Sequence, residues 1–268
     1  MFKYFLSFLV VLAYAPSVLA EAKYEYGVGA VAVSIPTYPG SKEQSFYALP
    51  LPYFYYKDED ITLDREGLIG NVFEQSNWKV DISFSGGIPV NSDDTAIRAG
   101  MPDLDWTFEA GPRLLYYFAP KVQDGGHFRA ELYVRAVFAT DLSYLDSVGY
   151  RAGLSLDHEK HLYTLGQNRV IWSNHLSINW ANGDTQDYFY GVSSQYANAS
   201  RPIYKGESGY AGAAYTTTLS IKYNDILLSV FSRYQNFLGA TVVDSPLLQK
   251  NANVSIGIGA IWVIDSNR

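Results

Sequence analysis

The stretch Asp105–Thr140, DWTFEAGPRLLYYFAPKVQDGGHFRAELYVRAVFAT, decides the fold. In its first arm Trp106, Phe108, Ala110, Leu114, Tyr116 and Phe118 fall on one parity, and Asp105, Thr107, Glu109, Gly111 and Arg113 on the other. After a turn spanning Pro120 to Gly126, Phe128, Ala130, Leu132, Val134, Ala136 and Phe138 oppose His127, Arg129, Glu131, Tyr133 and Arg135. Successive strand side chains point to opposite faces, so a period of two makes this a hairpin with one apolar and one charged face. Soluble strands usually run about 5 to 6 residues, whereas a tilted membrane-crossing strand needs about 9 to 11. These arms have the membrane length. Their charged face carries both signs, so Glu109, Arg113, Arg129, Glu131 and Arg135 can pair across neighbouring strands inside a polar lumen.

The same alternation recurs along the chain. Tyr24 to Ala32, Trp78 to Phe84, Val148 to Leu156, Val170 to Trp180, Tyr215 to Tyr223, Ile226 to Tyr234 and Val254 to Ile264 each place apolar residues on one parity. No run of about 20 apolar residues occurs, and a mean hydropathy of -0.07 is what a barrel produces when only every second residue meets lipid. The 23 Tyr, 14 Phe and 5 Trp supply rings of the kind that gather at membrane interfaces. Leu49-Pro50-Leu51-Pro52-Tyr53 lacks two ladder donors, so this segment is expected to pair only beyond Pro52. The long connections 35–47, 88–104, 181–209 and 238–251 read as loops. Bacterial single-chain barrels have even strand numbers with both termini inside. Breaking Ile61 to Phe73 at Arg65-Glu66-Gly67 satisfies that rule and gives a transmembrane antiparallel β-barrel of 12 strands, with 10 as the alternative.

Residues 1–20 read as a secretory signal peptide: Lys3, a short apolar run Phe5 to Ala15, then Val18-Leu19-Ala20. Residues 21–268 then form a single outer-membrane domain. With no Cys there are no disulfides and no thiolate metal site. The formal net charge of -7 disfavours nucleic acid as a partner.

Several short motifs resemble the MipA/OmpV family of outer-membrane proteins. They are Tyr38-Pro39-Gly40-Ser41, Leu49-Pro50-Leu51-Pro52-Tyr53, Asp64-Arg65-Glu66-Gly67-Leu68, Pro89-Val90 through Asp93-Asp94, and Arg98-Ala99-Gly100-Met101-Pro102-Asp103-Leu104-Asp105. Glu109-Ala110-Gly111-Pro112, Tyr188-Phe189-Tyr190-Gly191-Val192-Ser193, and Leu238-Gly239 through Pro246-Leu247 continue the likeness. The resemblance implies a bacterial outer-membrane scaffold that binds the lytic transglycosylase MltA, a murein hydrolase, and bridges it to a bifunctional murein synthase. Pore and surface-adhesin roles are the alternatives for such a barrel, and a lipid-modifying enzyme is a further one.

No residue set commits the chain to chemistry. Ser173, His175 and Ser177 share a strand face, yet same-face neighbours stand about 6.6 Å apart, beyond the contact a nucleophile and its base need. His158 and His161 with Asp157 and Glu159, and Asp93, Asp94, Asp103 and Asp105, match no metal-ligand spacing and read as solvated charge. The expectation is a non-enzymatic protein with no catalytic residue, metal or cofactor, embedded in outer-membrane lipid. A partner surface is expected in the periplasmic turn His158 to Asn168, where Leu162, Tyr163 and Leu165 form an apolar centre flanked by Glu159 and Lys160.

Overall fold

The computed structural model describes residues 23–267 except 58–60, 65–66, 76, 119–125 and 167, and for 57–76 the backbone alone. The signal-peptide segment and most of the Pro120 to Gly126 turn lie outside the described residues. The chain runs through β1 (Lys23–Pro36), β2 (Gln44–Lys57), β3 (Ile61–Asp64), β4 (Gly67–Gln75), β5 (Trp78–Gly87) and β6 (Trp106–Tyr117). It continues through β7 (Gly126–Thr140), β8 (Asp146–Leu165), β9 (Asn168–Ala181), helix α1 (Gly183–Tyr190), β10 (Gly209–Tyr223), β11 (Ile226–Asn236) and β12 (Ala252–Ser266). Each strand pairs antiparallel with its sequence neighbours, and β1 pairs with β12 from Glu25↔Ser266 to Ser34↔Ile256, which closes the sheet into a barrel. Closure removes the free edges that lipid could not satisfy.

Parity sorts the side chains as alternation demands. Leu132, Val134, Leu154, Leu176, Ile178, Leu228 and Ile258 stand exposed on the outer surface. Asp81, Glu109, Arg113, Arg129, Glu131, Ser155 and Ser177 are buried in the interior. Near the end that carries both termini the outward rings form a row. Trp78 meets Tyr116 at 4.5 Å, Tyr116 meets Phe118 at 5.3 Å, and Phe118 meets Phe128 at 4.7 Å. Phe128 then meets His158 at 6.4 Å, and His158 meets Trp172 at 5.9 Å. Such a girdle marks a membrane interface. Connections at this end are short, as at Asn224-Asp225, where Asn224 takes a positive φ of 50° between the paired Tyr223 and Ile226. Long connections gather at the opposite end, the arrangement in which the termini face the periplasm.

Three expectations are corrected. β2 begins at Gln44 and pairs with β1 throughout, including Ala30↔Pro50 and Val28↔Pro52. The prolines are tolerated because β2 is nearly an edge. Its pairs with β3 are Tyr56↔Leu63 and Lys57↔Thr62, and those described for Gln44–Pro52 are all with β1. The 181–209 segment is not all loop, since Asn182 caps α1 by accepting from the Thr185 N–H. And 158–168 is not a long turn: β8 runs to Leu165 and pairs with β9 as far as Leu165↔Asn168. Gly166 takes the positive φ, 60°, that so tight a reversal demands.

Candidate functional site

The three features that bear on function are the outer end, the lumen and the periplasmic rim. At the outer end four connections pack against one another. Tyr190, Val192, Phe237, Ala240, Val242 and Leu247 form one buried cluster, and Tyr38, Val90 and Leu104 a second, with Ile97 and Phe189 packed against both. Hydrogen bonds tie the loops together: the Tyr38 hydroxyl donates to the Leu247 carbonyl at 2.6 Å, Tyr190 to Pro39 at 3.0 Å, and Ser245 to Tyr190 at 2.7 Å. The Arg98 guanidinium is buried over the Tyr38 ring and donates to Ser92 Oγ, the Phe189 carbonyl and the Pro102 carbonyl. Burial pushes the Arg98 pKa down and the Tyr38 and Tyr190 hydroxyls up, so both phenols stay neutral donors. These loops form a cap with its own apolar core rather than an open vestibule.

Below the cap lies a cavity of about 600 Å³. Glu109, Glu131, Arg135 and Arg151 on its lining belong to a charged network that joins four strands. Arg113 bonds Asp81 through two nitrogens, at 2.8 and 3.1 Å, and reaches Glu131 at 3.3 Å. Arg135 lies 3.7 Å from both Glu109 and Glu131, Arg151 bonds Glu109 at 2.6 Å, and Lys79 lies 3.8 Å from Asp81. The pairing across strands expected for Glu109, Arg113, Glu131 and Arg135 is therefore present, and Arg129 lies 3.8 Å from Asp157. Paired charges of this kind fill an interior without leaving any of them isolated.

His175 is held by Asp157 at 2.7 Å. Ser173 donates instead to Glu159 and Ser177 accepts from Asn179, so the Ser–His–Ser face has no described nucleophile contact. His158 sits in the outer aromatic row, while His161 lies 3.5 Å from Glu159, so the two histidines do not converge. Among the described residues no group of three metal-ligating side chains forms. Asp93 and Asp103 accept backbone N–H groups from Gly100 and Ser92, which is local loop capping.

The β8–β9 tip carries the three residues expected to bind a partner. Leu162, Tyr163 and Leu165 are 51%, 54% and 64% exposed. A bulge between His161 and Tyr163 inserts Leu162 and re-aims the strand, so that Tyr163 pairs with outward-facing Val170. At about 3.3 Å per residue, the six ladder positions from His158↔Asn174 to Leu165↔Asn168 place Leu165 about 20 Å along the strand beyond His158 of the girdle. The tip therefore extends past the aromatic row. The alternation argument could not find the bulge, because the polar run Asp157–His161 reads as the end of a strand.

Matches among solved structures include the NanC porin, at 9% identity and TM-score 0.36 over 90% of this chain and 98% of that one. A bacterial polysaccharide outer membrane secretin matches at 8% identity and TM-score 0.40, over 89% and 98%. The Vibrio cholerae outer membrane protein OmpT matches at 8% and 0.36, over 90% and 98%. A comparison with curated protein sequences gave no match. Residues 28–264 match the family described as MltA-interacting protein MipA, so the chain belongs to that family and is a bacterial outer-membrane β-barrel protein.

Proposed function

We propose that this barrel, counted as twelve strands and formed by a single domain following a signal peptide at 1–20, is a non-enzymatic scaffold. In this reading it holds a murein hydrolase of the lytic transglycosylase kind, and with it a murein synthase, at the periplasmic face of the outer membrane. The observation that carries the reading is the projecting β8–β9 tip, where Leu162, Tyr163 and Leu165 are exposed beyond the aromatic girdle. Glu159 and Lys160 flank them, an apolar centre within a polar rim as at protein interfaces. A stable interface buries about 800 Å² per partner, so the neighbouring turn at Asn224-Asp225 belongs to the same surface. The family's description as MltA-interacting supports the same class of partner.

A photo-crosslinking residue at Tyr163 is expected to capture a murein enzyme in living cells, and one at Leu238 in the outer cap is not. Capture at Leu238 alone would remove the periplasmic scaffold. A narrow pore is the second reading, favoured by the polar cavity beneath the cap. It requires the cap to open, and single-channel recordings of wild type that show steady conductance would establish it.

A further inference from the structure

The lumen is lopsided in chemistry. Opposite the ion-pair wall, the inward parity of β1 and β2 brings Val31, Val33, Ile35, Tyr47, Leu49 and Leu51 to the interior, because Val31 pairs with Leu49 and Val33 with Tyr47. Leu49 is 47% exposed although it faces the lumen. Val33, Ile35 and Leu49 line the same cavity as Glu109, Arg135, Arg151 and Arg233, and its volume is that of an ordinary ligand pocket.

On the charged side the cations of the network are paired with carboxylates. Lys79, Arg113, Arg135 and Arg151 share the carboxylates of Asp81, Glu109 and Glu131. Arg233 stands outside that network. It donates to Thr216 Oγ1 at 3.3 Å, its charged neighbour is Arg151, and among the described residues no carboxylate pairs with it. Asp105, also on the cavity, accepts from the Tyr144 hydroxyl at its outer rim. Asp157 is engaged by His175. A guanidinium without a counter-ion, in a partly enclosed space beside a second arginine, is a place for an anion.

The third observation is the barrel wall itself. Between β2 and β5 the sheet consists of β3, four residues, and β4, nine. The last described pair of this hairpin is Asp64↔Gly67, while β2 continues outward to Gln44 and β5 to Gly87. The cavity touches Tyr47 and Leu49 on one side of this seam and Ser85 to Gly87 on the other.

We propose that the cavity binds a single-chain carboxylate amphiphile, with its carboxylate on Arg233 and its hydrocarbon along Val33, Ile35 and Leu49. This binding does not depend on the scaffold role. The test uses purified full chain in phosphatidylcholine nanodiscs with a diazirine-bearing C12 fatty acid, and maps the labelled residues by mass spectrometry. Labelling is expected on β1 and β2 inward residues around Leu49, to be competed by laurate, and to resist acetate and dodecyltrimethylammonium at the same concentration. Arg233→Gln should lower lumen labelling at least tenfold, and Arg233→Lys should retain most of it. Leu49→Asp, which leaves Arg233 in place, should also lower it, and heat-modifiable migration would verify that each variant folds. Labelling confined to outward residues, lumen labelling equal in Arg233→Gln and wild type, or competition by acetate as strong as by laurate would each overturn the proposal.

Discussion

The wall β6–β9 alternates along every strand, whereas in the seam β2–β5 clear alternation is confined to Trp78–Phe84 of β5, and the two differ in structure as well. In the wall, strands of 12 to 20 residues are paired along most of their length, and Arg113, Glu131, Arg135, Glu109 and Arg151 tie their inner faces, with Asp81 of β5 bonded to Arg113. In the seam, β3 contributes four residues and β2 presents two prolines along the side that β3 barely covers. Alternation is sufficient to assign a strand to a barrel, but it does not say how completely that strand is flanked. Residues that withhold a backbone donor mark where the flanking fails.

The largest expected effect falls on the cap, which is neither wall nor seam but closes both. Phe237→Ala removes a fully buried ring and should cost the cap about 3 to 5 kcal/mol. Trypsin accessibility of the outer loops on intact cells would check it. In the wall, Leu132→Arg should destabilise by about 2 to 4 kcal/mol near the bilayer midplane. At the seam, Ser85→Arg places the new charge in the cavity and should cost far less. Equal losses on unfolding in lipid vesicles would erase the distinction between outward and inward parity. Arg98→Ala removes the donor to the Phe189 carbonyl, while Pro102 keeps the Ser92 hydroxyl, and should weaken the cap by about 1 to 3 kcal/mol. That is less than the ring deletion.

Cap closure should also depend on pH. Burial holds the Tyr38 and Tyr190 hydroxyls above their ordinary 10.0, so closure is fully stable below about pH 10 and weakens above it, where an opened cap ionises and a closed one does not. Phenolate absorbance lagging behind that of a Phe237→Ala variant would demonstrate it. The smallest effect concerns the ladder. Amides of β7 and β8, flanked on both sides, should exchange slowly, whereas alternate amides of β2 between Gln44 and Leu49 should exchange faster. Uniform protection across both would show the seam to be filled.

The sequence made the wall legible because its signal is local: Trp106 to Phe118 and Phe128 to Phe138 each declare a face by parity alone. It made the cap illegible because that core draws single residues from four loops, Tyr38, Val90, Phe189 and Leu247 among them, whose spacing in sequence carries no period. The candidate partner residues Leu162, Tyr163 and Leu165 were visible as an apolar group among charges. Their setting was not, since a bulge and continued pairing turn a supposed loop into a projecting hairpin. Arg233 was missed as well, because one arginine of inward parity looks like any other until the carboxylates around it are seen to be taken.

The scaffold role turns on what the β8–β9 tip touches. Affinity capture from crosslinked cells should recover murein enzymes with the wild-type chain and lose most of them with Leu162→Ser combined with Tyr163→Ser, while heat-modifiable migration of that variant remains unchanged. Undiminished capture by the folded double variant would contradict the scaffold assignment.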